Sequence, residues 1–89
     1  MGGVRRFELH RDTDVSGVSG SGVVADGVQY PRGCLITWPD GTLLQLPAGW
    51  VRLVWRGRHR STVLWPSAES VEAVHGHGGA TRLVWLDPE

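Results

Sequence analysis

The chain holds one cysteine, Cys34, in 89 residues, and contains neither lysine nor asparagine. A single thiol excludes an internal disulfide and any Cys-x-x-Cys motif. It fits a reducing compartment, where a lone cysteine behaves as a small hydrophobe. The absence of lysine bears on the Gly- and Ser-rich stretch "DVSGVSGSG" (14–22), whose glycines suggest a phosphate-binding loop. That loop needs a Lys for the phosphates and a helix behind it to receive the anion, and neither is present. The stretch reads instead as a structured loop anchored by Val15 and Val18. No apolar run approaches the roughly 18 residues of a membrane span. The start, "MGGVRRFELHRD", has no apolar core of a secretion signal, so a cytoplasmic location is expected.

Chemistry is scarce as well. There is no Gly-x-Ser-x-Gly elbow and no His-Glu-x-x-His pair. Cys34 lies in an apolar strand, the wrong setting for a nucleophile. Neither enzyme activity nor a cofactor is expected. The nine basic residues are all Arg and are balanced by nine acids, a formal net charge of zero. With no Lys or Asn, one Ile and abundant Val and Gly, this balance reads as the codon bias of a GC-rich genome. It does not read as selection for guanidinium chemistry.

What the sequence does have is turns. Pro-x-Gly occurs at Pro31, Pro39 and Pro47, eight residues apart. Pro sets φ near −65° for the first turn position, and Gly two residues on accepts φ > 0. The remaining five residues or so of each repeat suit one strand. The units "YPRGCLIT", "WPDGTLLQ" and "LPAGWVRL" therefore predict an antiparallel β-meander with strands at 23–30, 34–38, 42–46 and 50–56. A tight turn at "RGRH" leads to a fifth strand, 60–65. "VRRFELH" (4–10) alternates Phe7 and Leu9 against polar neighbours, an earlier strand. Ser67 is an N-cap, Glu69 sits in the first turn, and Ala68, Val71 and Val74 form a stripe, so a short helix is predicted over 68–75 with Gly76 as C′. "ATRLVWL" (80–86) closes the chain as a strand. The fold class is mainly β with one short helix, a small SH3-like barrel in a single domain, 1–89.

"DVSGVSGSGVVADGVQY" and "STVLWPSAESVEAVHGHGGATRLVWLD" resemble a family of small proteins from actinobacteria and their phages. The resemblance covers about half the chain. In that family one turn joins the strand ending here at Tyr30 to "WVRLVW". Against that pattern residues 34–49 are a two-strand insertion that preserves strand direction and side-chain parity. The resemblance implies a fold and a phage or actinobacterial origin, and for a phage-borne gene a host-interaction or anti-defence role, but no reaction.

Three surfaces are candidates for function. If Val51, Leu53 and Trp55 face the core, then Ile36, Trp38, Leu44, Leu46 and Trp50 point outward. That patch is larger than a soluble monomer tolerates and is rich in the residue type favoured at interface hot spots. It predicts a non-catalytic module that binds a protein partner or assembles as a homo-oligomer. The alternative is a nucleic-acid-binding β-barrel using the hairpin of Arg52, Arg56, Arg58 and Arg60, where Arg beside an aromatic clamps phosphate and stacks a base. A further alternative is a metal site at His75 and His77, with His59, His10 or Asp87 as third ligand. The competing structural reading of those histidines is a helix C-terminal turn built on Gly76, Gly78 and Gly79.

Overall fold

The computed structural model describes residues 3–12, 22–76 and 79–88. Seven strands and one helix follow in order: β1 (Arg5–Arg11), β2 (Gly22–Gln29), β3 (Cys34–Thr37), β4 (Leu43–Leu46), β5 (Val51–Trp55), β6 (Ser61–Trp65), α1 (Ala68–His75) and β7 (Thr81–Trp85). The protein is mainly β, with one short helix and antiparallel pairing throughout. The loop around Val15 and Val18, and His77 and Gly78, lie outside the described residues.

The strand spans follow the turn signals closely, but the pairing is not that of a simple meander. Five strands form one sheet in the order β6-β5-β2-β1-β7, and β3 pairs only with β4 in a separate two-stranded sheet. β2 pairs directly with β5, Gln29 opposite Val51 and Ala25 opposite Trp55. The chain leaves at Tyr30 and returns at Trp50, closed by Tyr30 N–H to the Trp50 carbonyl (3.0 Å) and Gly49 N–H to the Tyr30 carbonyl (2.8 Å). Among the described residues β6 and β7 are the two edges of the five-stranded sheet. α1 packs against both of those edges. A helix of eight residues spans only about 12 Å, so the sheet bends over it.

The three Pro-x-Gly segments play different parts. The one at Gly41 (φ 91°) is the hairpin turn between β3 and β4. Those at Gly33 and Gly49 carry the chain out of the main sheet and back into it, Gly49 with a left-handed φ of 87° and Gly33 without one.

The main core lies between the sheet and α1. Phe7, Leu9, Val24, Ala25, Val51, Leu53, Ala68 and Val71 are buried, with Trp55, Trp65, Leu83 and Trp85 packed around them. Val24 and Ala25 are adjacent and both buried, which strict alternation forbids. A bulge accounts for it: Leu9 faces Ala25 but His10 faces Val23, leaving Val24 as the extra residue. α1 begins as expected. The Ser67 hydroxyl accepts the Ser70 N–H (3.1 Å), and the Ser70 hydroxyl accepts the Ser67 N–H (3.3 Å). Such a cap contributes on the order of 1 kcal/mol. Val74 departs from the predicted stripe and is exposed. Gly76 also differs from expectation, with an ordinary φ of −70°. Glycine is needed there because a Cβ would stand 2.5 Å from the Glu72 carbonyl oxygen. The left-handed residue of this turn is Gly79, φ 101°.

Candidate functional site

The β3–β4 hairpin is built to project. Gly41 N–H donates to the Trp38 carbonyl (2.8 Å) and Trp38 N–H to the Thr42 carbonyl (2.7 Å). The Asp40 carboxylate accepts the Thr42 N–H at 2.9 Å, and the hydrogen bonds from Thr42 hold its carboxyl below the usual range. The strands pair Cys34 with Leu46 and Thr37 with Leu43. Even-numbered side chains turn toward the main sheet. There Tyr30, Ile36 and Leu46 form a second buried cluster, joined by Val28, Cys34, Trp38, Leu44, Trp50 and Leu64. Val28 and Leu64 belong to the sheet face opposite α1, so the hairpin folds over one end of that outer face.

This corrects the expectation that Ile36, Trp38, Leu44, Leu46 and Trp50 point outward. Ile36 and Leu46 are buried, and Trp38, Leu44 and Trp50 are half-buried against them. Both side-chain parities are apolar because the chain has two cores, one on each face of the sheet. The residues left in water are the odd-numbered ones of the hairpin. Leu35 and Leu43 are 61% and 60% exposed. They lie diagonally across the ladder, with exposed Thr37 and Gln45 beside them. The face carries no charge. Sequence parity groups these residues on one face of the hairpin, but which face meets water depends on β3–β4 forming a sheet of their own.

The basic residues divide into two sets. Arg56 forks onto Asp26 with two hydrogen bonds of 2.8 Å and approaches Glu8 at 3.7 Å. Arg6 forks onto Asp87 (2.9 and 2.8 Å), and Arg82 onto Asp12 (both 3.1 Å). The hydrogen bonds from these guanidinium groups hold the carboxyls of Asp26, Asp87 and Asp12 below the ordinary carboxylate range. Arg5 stacks on Trp85, 3.8 Å from the ring centroid, and buried Arg11 donates to the Thr81 hydroxyl at 3.0 Å. The second set is Arg32, Arg52, Arg58 and Arg60. None of these four makes a side-chain hydrogen bond or ion pair among the described residues. Of the predicted Arg hairpin, therefore, Arg56 is hydrogen-bonded within the chain, while Arg52, Arg58 and Arg60 make no side-chain hydrogen bond or ion pair among the described residues.

The predicted metal ligands are dispersed. His75 packs edge-on between Trp55 (4.8 Å) and Trp65 (5.4 Å). His10 meets Glu8 at 2.8 Å on the outer sheet face. Asp87 is held by Arg6 near the other end of β1, and His59 is exposed in the β5–β6 turn. Among the described residues no group of three His, Cys, Asp or Glu side chains is placed to hold a metal ion, and His77 lies outside them. No described helix is long and apolar enough to cross a membrane.

The fold and these surfaces define a small antiparallel β protein with one capped helix, two cores and a projecting hairpin with an uncharged, leucine-bearing outer face. The chain belongs to the Acb5 phage protein family, whose sequence profile matches residues 4–87. No curated protein and no solved structure matches it.

Proposed function

We propose that this phage-family protein is a non-catalytic binding module that docks onto a host protein through the outer face of the β3–β4 hairpin, acting in the host cytoplasm. One observation carries the reading: Leu35 and Leu43 stand about 60% exposed on an uncharged face, although the same hairpin is anchored from behind by a buried cluster. Exposed leucines on a preorganised, uncharged ribbon have the composition of an interface centre, where charge is depleted. Because the hairpin is already folded, little ordering entropy opposes docking. Phage-family membership is compatible with a host-directed, anti-defence role for such a module. Self-association through the same face is the competing occupant.

The test compares tagged wild type with Leu35→Glu/Leu43→Glu. Both sites are exposed, so the variant is expected to keep its fold by circular dichroism. Wild type should enrich a defined protein from a bacterial host lysate with nuclease present, and the variant should lose it. Burying one carboxylate in an apolar interface costs several kcal/mol, enough to abolish capture. Unchanged capture by a folded variant would remove the hairpin face from the interface. A wild-type dimer that the variant dissolves would reassign the face to self-association.

A further inference from the structure

We infer that the partner engaged by this module presents an acidic protein surface, received by Arg52, Arg58 and Arg60 along β5 and the β5–β6 turn; the inference rests on the protein-binding reading above. Neutral net charge conceals a segregation. Residues 32–60 hold five arginines, Arg32, Arg52, Arg56, Arg58 and Arg60, against one acid, Asp40; the rest of the chain holds four arginines against eight acids. The two segments thus carry net charges of +4 and −4.

Folding does not neutralise the positive segment. Outside it, Arg5, Arg6, Arg11 and Arg82 are all engaged within the chain. Inside it, among the described residues, only Arg56 makes a side-chain hydrogen bond or ion pair. The carboxylate of Asp40 is occupied by Thr42. Glu69 and Glu72 lie on α1, beyond the opposite face of the sheet.

Arg52 is the centre of the argument. It is half-buried on the outer face, with Val28 and Leu64 as its cross-strand neighbours on either side. Both of those neighbours pack against the hairpin cluster. Its stem therefore lies among apolar side chains, while its guanidinium has no carboxylate among the described residues. A fork partly withdrawn from water pairs with an incoming carboxylate more strongly than a fully exposed one. Arg60 lies on the same side, close enough to Asp26 to contribute to holding its carboxyl down.

The same observations favour a protein over a nucleic acid. Base stacking needs an open aromatic face, and all five Trp are half-buried. Trp38 and Trp50 pack in the second cluster, Trp55 and Trp65 against His75, and Trp85 under Arg5.

The test is fluorescence anisotropy with a labelled oligoglutamate peptide, run beside single- and double-stranded DNA of matched charge. Wild type should bind the peptide more tightly than either DNA, and less tightly as salt rises. Arg52→Gln/Arg60→Gln should weaken peptide binding by about tenfold or more, roughly one charge-assisted contact per residue. Glu69→Gln/Glu72→Gln on the opposite side should not weaken it. No peptide binding, binding indifferent to the Arg substitutions, or tighter binding of DNA would each overturn the inference. Leu35→Glu/Leu43→Glu separates the two proposals. If it loses host capture while oligoglutamate binding is absent in wild type, the interface stands and its acidic character falls. If peptide binding behaves as expected while host capture survives in that variant, the hairpin reading falls alone.

Discussion

At the scale of the residue, the most constrained contact in the main core is a glycine under an aromatic ring. Phe7 and Gly27 are cross-strand partners at the centre of the sheet. A Cβ at Gly27 would overlap the Phe7 ring. The ring covers the position where β2 has no side chain, and it meets Trp85 edge-on, with centroids 5.2 Å apart. Gly27→Ala therefore cannot be absorbed locally, because Phe7 is fully buried and its neighbours are packed. We expect Gly27→Ala to cost at least the ~1–3 kcal/mol typical of overpacking, read as a lower urea midpoint with unchanged m-value. Phe7→Leu in the same background should recover part of that loss. Two costs that simply add would show that the ring is free to move aside.

At the scale of the element, what the sequence made legible was whatever chemistry writes locally. Ser67 before a short apolar stripe gives α1 its start, and the helix spans the predicted residues because capping is decided within one turn. Strand spans were legible for the same reason, since Pro and Gly punctuate them. The candidate site was half legible. Its element, the hairpin of residues 34–46, could be read from the repeat, but its exposed residues could not. Exposure depended on β3–β4 leaving the main sheet, and pairing between distant strands leaves no local mark. The bulge at Val24 was hidden likewise, because it exists only as a register between two strands. The pairing of β2 with β5 makes a prediction at this scale. Tyr30 and Trp50 are already joined by a backbone hydrogen bond of 3.0 Å, so the segment between them spans no gap. Replacing residues 31–49 by Asn-Gly, a two-residue hairpin turn, should leave the five-stranded sheet and α1 folded, with Leu53 and Phe7 amides still protected in hydrogen exchange. Tm should fall, because Val28, Leu64 and Trp50 lose the cover of Ile36 and Leu46. A chain that no longer folds would show that the second cluster is required to nucleate the first.

At the scale of the whole molecule, the paired charges act as clips between strands, and they fail together in acid. Asp87 beyond β7 holds Arg6 on β1, Asp12 at the end of β1 holds Arg82 on β7, and Asp26 on β2 holds Arg56 at the end of β5. Each carboxyl titrates below its ordinary value because an Arg hydrogen bond favours the charged form. The folded protein therefore binds fewer protons than the unfolded chain near the ordinary Asp pKa of about 3.9, so stability rises with pH through that region. The contribution is fully present above about pH 5 and is lost as pH falls below about 4 toward the depressed values. Because the pairs are largely exposed, it is also reduced by salt. Tm should be level from neutral pH to about 5 and decline below about 4. Asp87→Asn should melt lower than wild type at neutral pH, since it removes the charge and leaves one oxygen acceptor where two serve the Arg6 guanidinium fork and the Arg6 backbone N–H. The gap between the two melting curves should narrow as acid protonates Asp87 in wild type, and should narrow again in high salt at neutral pH. A gap that is constant with pH would mean that Asp87 acts through shape and neutral hydrogen bonding, leaving the end of β7 held to β1 by its backbone ladder and not by charge.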